Sequence, residues 1–353
     1  MLFDNMSIDG EKDKNFYFLD CMKFLMSLIV IFLHTNILTN YDISVKLLIC
    51  KIFGRMVVPI FFMTSGYLLF RKFKDDDEYN KKIIKRYLTR LTKLYILWSI
   101  LYIPFILHTD QQKITLKYII LKIWRTIVET SYYQLWYFPA LIFGVFLVYI
   151  LLKYIKVEKI LILSIVFYVI GLFGQTYYGV IENIEILNKI FNKYTSLFMT
   201  TRNGLFMGFF FVTLGLYFSK KKIIIKFKNA MLGFVLSTIA MTIELLLVSR
   251  ADWIYNDVTF IFLIPSTFFL FYLITHVKLK ERECYIYLRE SSTLIFCVHK
   301  MFIDIYTVLF RKLEMSINDL SMFIIVAISS IVFSFIVIYL VRKKDIKILK
   351  NLY

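Results

Sequence analysis

Cysteine, histidine, proline and glycine are all scarce in this chain, with 4, 4, 4 and 11 copies among 353 residues. Cys21, Cys50, Cys284 and Cys297 form no C-x-x-C pair, and no H-E-x-x-H is present. A metal site and a disulfide framework are therefore not expected, and the cysteines read as small apolar fillers. No Gly-rich, RNP-like or zinc-finger pattern accompanies the 43 Lys and Arg, so the net charge of +18 does not indicate nucleic acid. Gly/Ser linkers, long polar tracts and internal repeats are missing too. The chain reads as one unit.

What is abundant is apolar sequence. Hydrophobic residues make up 59% of the chain and the mean hydropathy is +0.69. They gather in runs of about 20 residues, the length a helix needs to cross a bilayer. The runs are continuous rather than alternating, which excludes a β-barrel. The expected fold class is all-α, a polytopic membrane helix bundle with about ten transmembrane helices. The spans are predicted at 17–38, 48–70, 88–108, 133–152, 160–174, 203–219, 230–249, 258–276, 292–310 and 320–341. The fifth is short, with little tilt or a re-entrant course.

Residues 1–15 form a polar tail expected to be disordered, 16–342 a single transmembrane domain, and 343–353 a basic tail. The first run is too long for a signal-peptide core and no small-residue cleavage site follows it, so it is expected to be retained. Alternate loops differ sharply in Lys and Arg: one set, with both termini, holds 27 and the other 12. The positive-inside rule then places both termini in the cytoplasm. The expected location is the plasma membrane, as a multi-pass protein.

Charged residues inside these runs are the candidates for function, because each costs roughly 2.5–3.5 kcal/mol at a helix centre. The first span carries Asp20, Lys23 and His34. Lys23 and His34 are eleven residues apart, which returns them to one helix face about 16 Å apart along the axis. Lys23 then lies near the cytoplasmic end and His34 near the outer end. Arg55 sits in the outer third of the second span, at a depth comparable with His34. That span also holds Pro59, Thr64, Ser65 and Gly66, which suit a kinked, closely packed helix.

Arg86, Arg90 and Lys93 follow each other at four and three residues and share one helix face as the chain enters the third span. Their partners are lipid headgroups or the phosphates of a cosubstrate. Residues 111–128 have the spacing of an amphipathic helix lying in the membrane interface. Tyr132, Tyr133, Trp136 and Tyr137 make an aromatic belt or line an acceptor cleft. Later candidates are Arg202 and Asn203 at the outer surface, Glu244 in mid-span, and Asp257 in a short outer loop. His299, Lys300 and Asp304 stand on the ninth span, where a packing role suits His299 as well as a chemical one.

Several stretches together resemble the acyltransferase 3 family of ten-span bacterial membrane acyltransferases. LDCMKFLMSLIVIFLHT resembles the first-helix pattern of Asp, basic residue and His. VPIFFMTSGYLL resembles the second-helix signature, and RLTKLYILW the cytoplasmic R-x-x-R segment with Lys93 in the second basic place. QLWYFPALI resembles the L-W-F motif, although Gln134 stands where the family often has His. SSTLIFCVHKMFI resembles the late helix ending in His. RNGLFMGFFFVTLG and YNDVTFIFLIPSTFFLF are similar to the branch containing the membrane half of serine-racemase-type resistance proteins, whose racemase domain is not among these residues.

The resemblance implies transfer of an acyl group, usually acetyl from acetyl-CoA, to a hydroxyl of a glycan, lipid-linked sugar or cell-wall precursor. It implies His34 as the essential residue and Lys23, Arg90 and Lys93 on the acyl-CoA side. Acyl-CoA would be a cosubstrate, and no bound cofactor is expected. His34 would then be the general base, neutral because burial disfavours its charge, with Arg55 orienting the acceptor or stabilising the oxyanion. A transporter or glycolipid flippase is the alternative from another class, against which stands the lack of paired repeats and matching broken helices. A catalytically inactive sensor or scaffold is the third, kept open by Gln134 and Lys93.

Overall fold

Backbone N–H and C=O groups in hydrocarbon have no water to bond, so an apolar run must satisfy them within itself by coiling into a helix. The structure, a computed structural model, describes residues 16–35, 52–109, 115–256 and 258–353, and no strand occurs among them. Residues 1–15, Asp257, Cys50, the flanks of the first two predicted spans and the start of the amphipathic segment lie outside the described residues.

The helices are α1 (Tyr17–His34), α2 (Gly54–Phe70), α3 (Asp77–Leu101), α4 (Ile103–Thr109), α5 (Leu116–Val128), α6 (Tyr137–Leu152), α7 (Val157–Leu172) and α8 (Tyr178–Glu182). They continue as α9 (Glu185–Leu197), α10 (Phe209–Lys220), α11 (Phe227–Arg250), α12 (Leu263–His276), α13 (Cys284–Lys312) and α14 (Asp319–Lys343). A tight 3-10 turn, Tyr133–Trp136, leads into α6, and a wide π turn, Gly204–Gly208, leads into α10. A helix thus stands in each predicted span. Among the described residues five segments are long and apolar enough to cross a membrane: α1, Tyr133–Leu152, α11, α13 and α14. Gly54–Phe70, Gly204–Lys220 and Leu263–His276 are shorter apolar helices.

The largest departure from expectation is α3. It begins at Asp77, eleven residues before the predicted third span. Asp76 accepts a hydrogen bond from the Tyr79 N–H at 2.9 Å, and Asp77 and Glu78 oppose the helix dipole, so the cap starts the helix early. Tyr102 ends it, two residues before Pro104, which lacks an N–H for the next rung. The final residues also differ from a free basic tail. Lys347–Leu352 form a 3-10 turn whose Leu352 carbonyl accepts from the Trp98 indole at 3.1 Å.

Exposed apolar stripes show where lipid belongs. On α14, Leu320, Ile324, Ile328, Val332, Phe335 and Tyr339 recur every three or four residues and all face outward. A stripe of that length would aggregate in water and is at home against acyl chains. Helix α5 is amphipathic as its spacing predicts, with Leu116, Ile119, Ile120, Ile123, Trp124 and Ile127 exposed along one side. Its companion α9 exposes Ile186, Leu187 and Ile190 and was not foreseen. Glu129 ties the two together, because its carboxylate accepts the Met199 N–H at 2.6 and 2.8 Å.

Inside the bundle, helices approach closely where glycine allows it. A Cβ on Gly66 of α2 would lie 2.3 Å from the Val212 carbonyl oxygen of α10. Reciprocally, a Cβ on Gly215 would lie 2.1 Å from the Met63 carbonyl oxygen. The entry to α10 crosses α6 in the same way, since Gly208 lies against the Ala140 carbonyl and Gly144 against the backbone of Gly208. Such small residues let backbones touch where lipid offers no hydrophobic drive to association. Buried hydroxyls such as Thr213, Ser266 and Thr267 bond back to their own helices at 2.7 Å.

Glu244 shows how a buried carboxylate is accommodated. It accepts the Ile261 N–H at 2.6 Å, the Phe262 N–H at 2.9 Å and the Tyr177 hydroxyl at 2.7 Å. It therefore caps the start of α12, where four N–H groups lack helical partners. Glu244→Ala is expected to cost at least roughly 3 kcal/mol, because three part-buried donors at about 1–3 kcal/mol each lose their acceptor. Glu244→Gln keeps one carbonyl oxygen and should cost clearly less. Thermal unfolding of the two variants in detergent checks this, and equal melting temperatures would remove the capping role.

Candidate functional site

Helix α1 packs along α13 over much of its length, and the pairing brings ionisable groups together at both ends. At one end Arg289 of α13 lies 3.9 Å from the Asp20 carboxylate. Lys23 sits within electrostatic reach of Asp20, Arg289 and the exposed Arg90 of α3. Arg86 and Lys93 are exposed on the same α3 face as Arg90. Lys23, Arg90 and Arg289 around the one Asp20 carboxylate, with Arg86 and Lys93 beside Arg90, leave this end positively charged.

At the other end His34 meets His299, with ring centroids 5.3 Å apart. His34 is exposed, whereas His299 is fully buried behind it. The His299 Nδ1 lies 3.1 Å from the Ile295 carbonyl, which can only accept, so Nδ1 carries the proton. Its Nε2 is then a bare lone pair, and among the described residues no side chain or backbone donor bonds to it. The charges of Lys300, Arg202 and Arg55 bear on His34. Lys300 pairs with Asp304 at 2.6 Å, and the second Asp304 oxygen accepts from Tyr132 at 2.7 Å.

The fold explains why these side chains converge. The Gly66–Gly215 crossing of α2 and α10 fixes Arg55 relative to the chain that enters α10, and that entry begins with Arg202. The crossing of α6 with Gly204–Gly208 sets Trp136 beside Arg202, whose guanidinium lies over the indole at 4.8 Å from the ring centre. Trp136 therefore offers one ring face to a cation rather than standing in a simple belt. Asn203 has a local task. Its side-chain oxygen accepts the Leu205 and Phe206 N–H groups at 3.0 and 3.3 Å and starts the wide turn.

The turn of α13 bearing His299 and Lys300 is held from outside. The Tyr102 hydroxyl donates to the Cys297 carbonyl at 2.7 Å and accepts the Met301 N–H at 3.1 Å. Gln134 donates to both the Tyr102 hydroxyl at 2.8 Å and the Cys297 carbonyl at 3.0 Å. Cys297 carbonyl and Met301 N–H are the two groups an α-helix pairs across one turn. Tyr102 and Gln134 thus clamp the turn.

Between the two ends runs an aromatic lane. Ser65 lies 3.2 Å from the Tyr137 hydroxyl and also bonds Tyr87, beside Arg90. Tyr137 packs on Phe296 at 5.5 Å and on Phe61 at 6.2 Å between ring centres. Phe296 in turn lies 6.2 Å from His299. The structure therefore joins Asp20, Lys23, Arg90 and Ser65 at one end with His34, Arg55, Trp136, Arg202 and His299 at the other. Glu244 and Asn203 stand apart as capping residues.

Arg289, Tyr87 and Tyr102 were missed in the sequence. Arg289 had a readable signal, because it precedes His299 by ten residues and so nearly repeats the Lys23–His34 spacing. Tyr87 and Tyr102 had none among the 25 tyrosines. Among the described residues no three His, Cys, Asp or Glu side chains gather to hold a metal.

A family model described as an acyltransferase domain matches residues 16–339. Two proteins of Enterococcus faecalis, each named amino-acid racemase, are 29% identical to the chain. Their matches cover 77% and 82% of this chain but 37% and 41% of their own lengths. A serine/alanine racemase of Enterococcus gallinarum is 27% identical over 92% of the chain and 46% of its own length. The chain spans less than half the length of these curated relatives, and no solved structure matches it. With a family match running from α1 into α14, the chain belongs to the acyltransferase 3 family of membrane acyltransferases.

Proposed function

We propose that this membrane acyltransferase moves an acyl group, acetyl in the simplest case, from acyl-CoA at the Lys23 end to an acceptor hydroxyl at the His34 end. The observation that carries the reading is the pairing of α1 with α13, which puts a cluster of cations at one end and a His pair at the other. In this reading the Lys23 end faces the cytoplasm of the plasma membrane in a ten-span bundle with both termini inside. Arg90, Lys93 and Arg289 suit the phosphates of CoA. The acyl-pantetheine arm lies along Ser65, Tyr137, Phe61 and Phe296, and Lys23 and His34 are about 16 Å apart along α1.

At the far end the acceptor hydroxyl oxygen attacks the thioester carbonyl carbon. His34, exposed and so reachable, takes the hydroxyl proton, the C–S bond breaks, and CoA leaves as its thiol with a proton. Arg55 stabilises the oxyanion formed on the way. The acceptor is a hydroxyl of a surface glycan, a lipid-linked sugar or a cell-wall precursor.

Purified protein given labelled acetyl-CoA is expected to release CoA and transfer label to envelope material. A transporter or flippase would leave acetyl-CoA intact. Neutralising Arg90 and Lys93 together is expected to raise the KM for acyl-CoA about tenfold or more, since hydrogen bonds to charged groups contribute about 1.5–3 kcal/mol. The KM for acceptor should hardly change. An equal rise in both would assign these cations to lipid headgroups instead.

A further inference from the structure

Helix α13 carries its histidine far from either end. Arg342, in the last turn of α14, pairs with Glu290 of α13 at 2.7 Å. His299 follows Glu290 by nine residues and precedes Lys312, the last residue of α13, by thirteen. At the helical rise per residue those steps are about 14 Å and about 20 Å. Their sum matches a hydrocarbon core about 30 Å thick. The rings of His34 and His299 therefore meet near the middle of the bilayer, and an acceptor must travel inward to reach them.

Beyond His299 the turns of α13 are not apolar all round. Lys300, Asp304, Thr307 and Arg311 follow one another at four, three and four residues and so share one face. Ile305 and Leu309, both exposed, stand on the opposite face, where lipid belongs. Helix α14 takes the flank, with Tyr306 bonded to Ser329 at 2.6 Å and Phe302 against Phe333 at 6.1 Å between ring centres. The polar face is not sealed by packing. Thr307 and Arg311 are exposed, and the Lys300–Asp304 pair keeps 15% and 18% of its side chains accessible. At the foot of the stripe the exposed Tyr133 ring centre lies 4.7 Å from the Lys300 Nζ.

Ionisable side chains at this depth face the bundle interior or water. Those that stay accessible on the side turned away from lipid face water. We propose that the stripe lines a water-filled vestibule, open at the Arg311 end, down which a glycan acceptor enters to bring its hydroxyl to His34. Lys300, Asp304, Thr307 and Arg311 offer donors and acceptors to sugar hydroxyls along the path, and Tyr133 offers a ring at its foot. The sugar comes head first from the aqueous side rather than sideways out of the lipid. What happens at His34 rests on the acyl-transfer reading, whereas the vestibule rests on the two faces of α13.

Thr307→Cys and Ile305→Cys lie at nearly one depth on opposite faces, so they compare water with lipid. Each variant, in phosphatidylcholine nanodiscs, is treated with a permanently charged trimethylammonium methanethiosulfonate. Peptide mass spectrometry reads the new cysteine apart from the native ones. Only the thiolate reacts, and charge is excluded from hydrocarbon, so Thr307→Cys should react about tenfold or more faster than Ile305→Cys. Arg311→Cys against Leu309→Cys repeats the comparison one turn further out. Equal rates on the two faces overturn the vestibule. The same samples, before and after modification, then receive labelled acetyl-CoA and isolated cell-wall material. Modifying Thr307→Cys is expected to abolish transfer to the wall material, and modifying Ile305→Cys to leave it as before. Unchanged transfer after complete modification of Thr307→Cys overturns the path. If the parent protein releases no CoA while the contrast between faces holds, the vestibule stands and acyl transfer falls.

Discussion

Replacing His34 with Ala is expected to abolish acyl transfer while the protein remains in the membrane and folded. The imidazole ends α1, is exposed, and touches the His299 ring without hydrogen-bonding to it, so its removal opens no core cavity. A positioned general base contributes typically about 10²–10⁴-fold, and transfer should fall by that factor or below detection. The variant should be extracted from membranes in normal amount and elute as the parent does in size-exclusion chromatography. Transfer from labelled acetyl-CoA at the parent rate would end the assignment of His34 as base. Loss of transfer together with loss of the protein would point instead to a structural task.

The second large effect is on folding. Gly215→Val drives a Cβ into clash with the Met63 carbonyl oxygen, and Gly66→Val does the same against Val212. Neither neighbour is the flexible end of a side chain. Both are backbone, so the helices must separate, and overpacking of this kind costs roughly 3 kcal/mol. The expected result is a marked drop in melting temperature in detergent and poor recovery from membranes. Alanine already supplies the offending Cβ, so Gly215→Ala should destabilise in the same direction by less. A control at Gly233 of α11, where the neighbour is the Phe269 ring tip rather than backbone, should be better tolerated. Equal effects at the three positions would show that glycine is not needed for the crossing.

Much of this was legible in the sequence because hydrocarbon makes charge expensive. Asp20, Lys23, His34, Arg55, Glu244 and His299 stood out for that reason alone, and the structure places all but Glu244 near one α1–α13 seam or its ends. Periodicity located a helix in every expected span and the amphipathic α5. The early start of α3 at Asp77 was harder, because its first turns are polar and hydropathy is blind to a capped, solvated helix. The role of Glu244 was equally hidden. Its partners are backbone N–H groups at 261 and 262, and backbone donors carry no residue signature. Arg289 belongs to the seam too, and its ten-residue spacing from His299 was the signal that could have found it. The Tyr102–Gln134 clamp depends on tertiary contacts between α3, the turn before α6, and α13. No local spacing encodes that.

The glycine crossings bear on which kinds of motion this protein can use. Alternating access requires one group of helices to rock past another about a site between them, and rocking needs a sliding surface of yielding side chains. Along α2, α6 and α10 the contacts are backbone on backbone, so these helices move as one block. Lys23 and His34 share α1, and Arg289 and His299 share α13, so in the proposed reaction the basic end and the His pair keep one separation. Under the acyl transfer proposed above, what travels is the long, thin thioester arm, and the membrane barrier is bridged by reach rather than by a swinging domain. An acyl group can cross that way; a whole sugar cannot.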